Sequence, residues 1–102
     1  MKKQVKQNGK KVARKDPETE QVVDIFVYSM KHGGGICYLY ENQTRNKSLD
    51  EVLKFKLSGL KIVGVNGSEV NIQIGPGESK FIELKATSSQ WRIQTAVSYG
   101  IY

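Results

Sequence analysis

The sequence predicts an all-β fold, an immunoglobulin-like antiparallel β-sandwich of about seven strands with a flexible basic N-terminal tail. Three observations predict it. First, apolar and polar residues alternate through VLKFKLSGLKIVGVNGSEVNIQIGPGESKFIELKA, from Val52 to Ala86. A period of two puts successive side chains on opposite faces, giving each run one dry and one wet face. Second, the runs break at Ser58-Gly59, Asn66-Gly67-Ser68 and Gly75-Pro76-Gly77-Glu78. Gly supplies positive φ, Pro pre-sets φ for a turn, and Asn bonds its own backbone, so these are turns with a mechanism. Third, turn signals recur every 8–12 residues or so, the spacing of immunoglobulin-like sandwiches.

Residues 1–15 hold Lys2, Lys3, Lys6, Lys10, Lys11, Arg14 and Lys15 and no acid, and have almost no apolar content, with Val5, Val12 and Ala13 scattered among the lysines. Such a segment has too little to bury to offset its ordering entropy, which predicts a tail that is flexible when free. The expected organisation is a tail over residues 1–15 and a sandwich domain over residues 16–102.

Asp16 to Gly35 carries two signals. Asp16-Pro17-Glu18 has the form of a helix start, and Lys31-His32 before Gly33 that of a helix end. Against them, Val22 to Tyr28 is dense in β-branched and aromatic residues, and Val23, Ile25 and Val27 alternate. Strand is the reading adopted, with Lys31 to Gly35 as a hairpin loop leading into the strand Ile36-Cys37-Tyr38-Leu39-Tyr40. Glu41 to Asp50 is a polar loop. The meander of Val52–Ala86 follows, then Thr87-Ser88-Ser89 as a turn. Gln90 to Tyr99 forms a last strand with Trp91, Ile93, Thr95 and Val97 on one face. The predicted inward set is Phe55, Leu57, Leu60, Ile62, Val70, Ile72, Ile74, Ile82, Leu84, Trp91, Ile93 and Val97.

At 102 residues the chain supports one small core, and filling it leaves little apolar surface for an enclosed catalytic pocket. The net charge of +6 is uneven: seven cations lie in residues 1–15, leaving nine cations and ten acids for the remainder. An electrostatic partner is therefore expected at the tail. The single cysteine, Cys37, excludes an internal disulfide and fits a reducing compartment. With neither a long apolar run nor a secretory pattern at the N-terminus, the chain reads as soluble and cytoplasmic. The sequons at Asn42, Asn46 and Asn66 read as turn chemistry.

No catalytic constellation emerges, and no enzyme activity, cofactor or metal site is expected. His32-Gly33-Gly34-Gly35 matches an esterase oxyanion-hole tetrapeptide, but the chain has no Gly-x-Ser-x-Gly nucleophile turn and no second histidine. Cys37 reads as a small buried hydrophobe rather than a nucleophile served by His32. One Cys and one His are too few for a structural zinc site, and the ten acids are dispersed. Gly75-Pro76-Gly77-Glu78 lacks the ending of a phosphate loop. Nucleic-acid stacking needs aromatics inside a positive groove, whereas here the cations sit in the tail and the aromatics in the body.

From Gly33 onward, GGGICYLYEN, LDEVLKFKLSGLKI, IGPGESKFIELKA and WRIQTAVSYGI resemble the non-catalytic C-terminal β-sandwich region of ciliate calpain-type cysteine protease-like proteins. The resemblance covers about two-thirds of the chain and implies an accessory domain for positioning or binding. The protease's own machinery belongs to a separate domain, so nothing catalytic carries over to Cys37 or His32. A basic N-terminus stands where that protease domain would be.

The leading expectation is a non-enzymatic interaction or structural module. Its sandwich docks on a protein through an exposed strand edge or the face bearing Tyr38 and Tyr40, and Lys2, Lys3, Lys6, Lys10, Lys11, Arg14 and Lys15 clamp an acidic surface. In the setting the resemblance implies, acidic tubulin tails are such a surface, with cytoskeletal or ciliary association. The alternatives are a regulatory domain targeting a calpain-like protease to acidic membranes, and nonspecific nucleic-acid binding through the tail.

Overall fold

The computed structural model describes residues 2–102; of the predicted tail, residue 1 lies outside the described residues. In chain order the elements are α1 (Lys2–Asn8), β1 (Lys10–Lys15), β2 (Val22–His32), β3 (Gly35–Asn42), β4 (Leu49–Ser58), β5 (Leu60–Ile62), β6 (Glu69–Ile74), β7 (Ser79–Ala86) and β8 (Arg92–Ile101). Eight strands among the described residues form two antiparallel sheets, one in the order β1-β2-β3-β7-β5 and the other β6-β4-β8. The fold is all-β, as predicted, with one strand and one short helix more than expected, both from the N-terminal segment.

That segment is the main correction. Lys10–Lys15 pairs with β2, from Lys10↔Ser29 to Lys15↔Val22, so it belongs to the larger sheet rather than to a free tail. Helix α1 lies on the outer face of β2 and β3 with Val5 fully buried. Gly9 permits the sharp passage from helix to strand, because a Cβ there would strike the Val5 and Ser29 carbonyl oxygens. Low apolar content misled the expectation: the backbone ladder to β2, one buried valine in the helix and one arginine in the strand hold a segment with little else to bury.

The ambiguous stretch before Gly33 is strand, and the reason for its ambiguity is now visible. Ile25 and Val27 face the interior of the sandwich, while Phe26, Tyr28 and Met30 face α1. Both faces are covered, so the simple alternation of a half-buried strand is overwritten. Asp16 starts no helix; its Oδ1 accepts from the Glu18 N–H at 2.9 Å, making a turn that closes through Glu20 N–H on the Asp16 carbonyl at 2.8 Å.

The predicted breaks fall between strands, but the strands do not form a meander. Gly59, at φ +70°, turns the chain out of β4's sheet, and β5 pairs instead with β7 in the other sheet. β6 then returns to β4, and β7 crosses back to β3. A period of two fixes which side chains face inward and leaves the neighbour of each strand open. The core contains Phe55, Leu60, Ile62, Val70, Ile72, Ile74, Ile82 and Leu84 as predicted, with Leu57, Trp91 and Ile93 half-buried against it. Val97 is the exception at 45% exposed, since β8 is an edge strand whose middle is not covered by the facing sheet. Asn42 is buried and its amide is saturated, donating to the Lys47 and Ile74 carbonyls and accepting from Thr44, so that sequon is turn chemistry.

Candidate functional site

The basic N-terminal segment is held by one buried ion pair. Arg14, on the inner side of β1, donates from Nε to Glu51 Oε1 at 2.8 Å and from Nη2 to Glu51 Oε2 at 3.0 Å. Glu51, on β4, is wholly buried, and the Tyr40 hydroxyl on β3 also donates to its Oε2. Three strands from two sheets thus converge on one carboxylate. Two parallel N–H···O bonds match the planar guanidinium fork to the carboxylate and satisfy charges that would otherwise be costly to bury. Burial works against the Arg14 charge, but the hydrogen bond and attraction of Glu51 outweigh it and hold the guanidinium above its ordinary value. Burial, reinforced by the Glu51 carboxylate, pushes the Tyr40 phenol well above its ordinary value. The Arg14 guanidinium also stands 5.1 Å from the centre of the Tyr99 ring, and the Tyr99 hydroxyl donates to the Lys15 carbonyl at 2.7 Å.

The seven predicted acid-binding cations therefore divide. Arg14 is committed inside the fold. Lys2, Lys3, Lys6, Lys10, Lys11 and Lys15 are exposed, arrayed along α1 and β1 on a fixed backbone. Lys6 Nζ bonds Glu41 Oε2 at 3.0 Å, and that hydrogen bond, with the Coulomb attraction behind it, raises the ammonium above its ordinary value. Lys11 Nζ lies 4.2 Å from the Phe26 ring centre, and Lys2 Nζ lies 5.8 Å from that of Phe81. The sequence placed basic charge and aromatics in separate regions. The structure brings them together, because α1 and β1 fold back across β2, β3 and β7, and the rings are capped by the chain's own ammonium groups.

The other predicted positions turn inward. Tyr40 is 1% exposed and Tyr38 is half-buried with its ring 6.2 Å from Phe55, so this pair offers no open docking face. Inward parity follows from the register of Ile36 and Tyr38 with the core residues Leu84 and Ile82 of β7, and the alternation of Ile36, Tyr38 and Tyr40 was the signal for it. Cys37 is buried under α1 with Tyr28 and Leu39, where its Sγ is 3.8 Å from the Met30 carbonyl, and burial followed by the Glu83 charge raises its thiol. His32 Nδ1 accepts from the Gly34 N–H at 3.1 Å, which ties it to its own hairpin. Sequence reasoning missed Glu51 altogether. A lone acid at an inward position of an apolar strand is the mark of a buried partner, and Leu49, Glu51, Leu53 and Phe55 share that parity.

Among the described residues no group of three His, Cys, Asp or Glu side chains is placed to hold a metal, and no helix is long and apolar enough to cross a membrane. No family model matches the chain, and no curated protein or solved structure matches it.

Proposed function

We propose that this immunoglobulin-like sandwich is a non-enzymatic protein-interaction module whose lysine-bearing N-terminal face takes an acidic surface on a partner. One observation carries the reading: six exposed lysines lie on α1 and β1, while the seventh cation, Arg14, is spent on fixing β1 in place. An array on a folded backbone loses less entropy on binding than a free tail, so the same charges give tighter and more oriented binding. An acidic cytoskeletal surface in the cytoplasm is one partner of this kind. The likeness of residues 33–101 to the accessory sandwich of calpain-like proteins supports a positioning role of the same sort.

Poly-glutamate is the simplest probe. Binding should be strong at low salt and fall steeply as salt rises. The triple variant Lys3→Glu, Lys10→Glu and Lys15→Glu should bind more than about tenfold more weakly at low salt. Unchanged affinity in that variant sinks the reading. Sedimentation with anionic vesicles separates a membrane-targeting role, which would carry the protein into the pellet. Nucleic acid ranks lower, since the rings beside the lysines are already capped and Tyr28 is buried.

A further inference from the structure

β1 and β8 border the same side of the sandwich and meet near their C-terminal ends, where the Tyr99 hydroxyl reaches Lys15. Val12 is paired with Val27, and Val97 with Leu53, and both partners belong to the core, so both valines turn toward the interior face. Yet Val12 is 42% exposed and Val97 45%. The inner faces of these two edges are open to solvent between the sheets.

The backbone of β8 is open along the same side. Ser48 and Tyr102 exchange both backbone hydrogen bonds, at 2.9 and 3.0 Å, and the register with β4 continues unbroken from Leu49↔Ile101 to Ser58↔Arg92. Bonded and non-bonded pairs alternate in an antiparallel ladder. Hence Arg92, Gln94, Ala96, Ser98 and Gly100 bond to β4, and Ile93, Thr95, Val97, Tyr99 and Ile101 turn their N–H and C=O groups outward. With 10 residues β8 is the longest edge strand, against 6 for β1, 6 for β6 and 3 for β5. From Ile93 to Ile101 it has no charge and no proline, the devices that usually block strand addition.

Charge decides what fits there. The neighbouring β1 edge carries exposed Lys10, Lys11 and Lys15. A second copy joined β8 to β8 about a two-fold axis would set these lysines against their counterparts, and like charges facing each other are unfavourable. An acidic chain meets the opposite sign. We propose that β8 receives an extended acidic segment of a partner protein as an added strand. Its backbone pairs with Ile93, Thr95, Val97, Tyr99 and Ile101, small apolar side chains in the middle of its inward face settle between Val12 and Val97, and carboxylates at the two ends of that face reach Lys10 and Lys15. This rests on the acid-binding role proposed above and specifies its mode.

The test uses the full chain, isotopically labelled, with the ten-residue peptide Glu-Thr-Val-Thr-Val-Thr-Val-Thr-Glu-Thr, whose valines and glutamates share one face of a strand, at low salt, read by amide hydrogen exchange. The Thr95, Val97 and Tyr99 amides should gain at least about tenfold protection, and the β4-bonded Ala96 and Ser98 amides much less. Val97→Pro removes an outward N–H without touching the β4 ladder, so it should keep the amide spectrum of β4 and abolish this protection. Lys10→Glu with Lys15→Glu, which leaves the β8 backbone intact, should weaken the peptide about tenfold. Peptide binding that moves only α1 amides overturns strand addition and leaves acid binding standing; failure of both this peptide and poly-glutamate to bind removes the reading beneath it. Equal binding of the same peptide with Lys in place of Glu overturns the acidic specification. Protection of the same amides by dimerisation without peptide assigns the edge to a second copy and overturns the proposal.

Discussion

Arg14 grips Glu51 through two hydrogen bonds that span 37 positions of sequence, joining the first strand of one sheet to the central strand of the other. Glu51 is wholly buried and Arg14 mostly so. Removing one member leaves the other charge without compensation in the interior.

Arg14→Ala should therefore destabilise the protein by about 3–5 kcal/mol, the range for breaking a buried pair. Arg14→Lys should fall between Arg14→Ala and the parent, since an ammonium keeps the charge and loses the fork. Denaturant titration measures the loss. Limited proteolysis should in addition cut within residues 2–15 of Arg14→Ala before the remainder of the chain. Equal stability of Arg14→Ala and the parent would show that the pair contributes nothing to holding β1.

Tyr40 gives the fold an alkaline limit. Its phenol is held above the ordinary value of 10.0, chiefly by burial and then by Glu51, so the unfolded chain releases this proton first as pH rises. The contribution is fully present below about pH 10 and is lost as pH climbs through the higher folded-state value. The urea midpoint should fall above that pH, and Tyr40→Phe should show a shallower fall. At neutral pH Tyr40→Phe should cost about 1–3 kcal/mol, because Glu51 loses a donor.

Cys37 reports on the docking of α1. Its thiol is buried beneath Val5 and raised by that burial, so thiol reagents should find it unreactive in the native state. Val5→Asp should undock the helix and speed labelling by at least about tenfold, with only local opening of the fold. Equal labelling rates in parent and variant would mean that the helix does not protect the thiol.

Gly59 should resist substitution. At φ +70° an L-residue is strained, and a Cβ there would come within 2.6 Å of the Gln90 carbonyl oxygen. Gly59→Ala should cost more than about 1 kcal/mol, whereas Gly33→Ala, in open space at an ordinary φ, should be nearly neutral. Thermal melts of the two variants make the comparison.

The alternation from Leu53 to Leu84 disclosed the strands and their inward residues, because burial on one face is written directly into a two-residue period. Sheet order was not legible, since Gly59 is the same turn signal whether the chain doubles back beside β4 or crosses to β7. The N-terminal segment was hidden for a different reason. Lys10 to Lys15 form a strand by pairing with β2, and Arg14 finds Glu51 across the sandwich; no local pattern reveals partners that far away. Val97 shows the converse: its parity gave an inward direction, but edge position left it wet.

The Tyr99 hydroxyl reaches back 84 positions to the Lys15 carbonyl, and Glu51 reaches back 37 to Arg14. During synthesis the opening strand leaves the ribosome long before either of its anchors exists. It can pair with β2 early, but its final seat must wait for β4 and β8, which makes this a fold of high contact order and a nascent chain with an unfinished, lysine-rich edge.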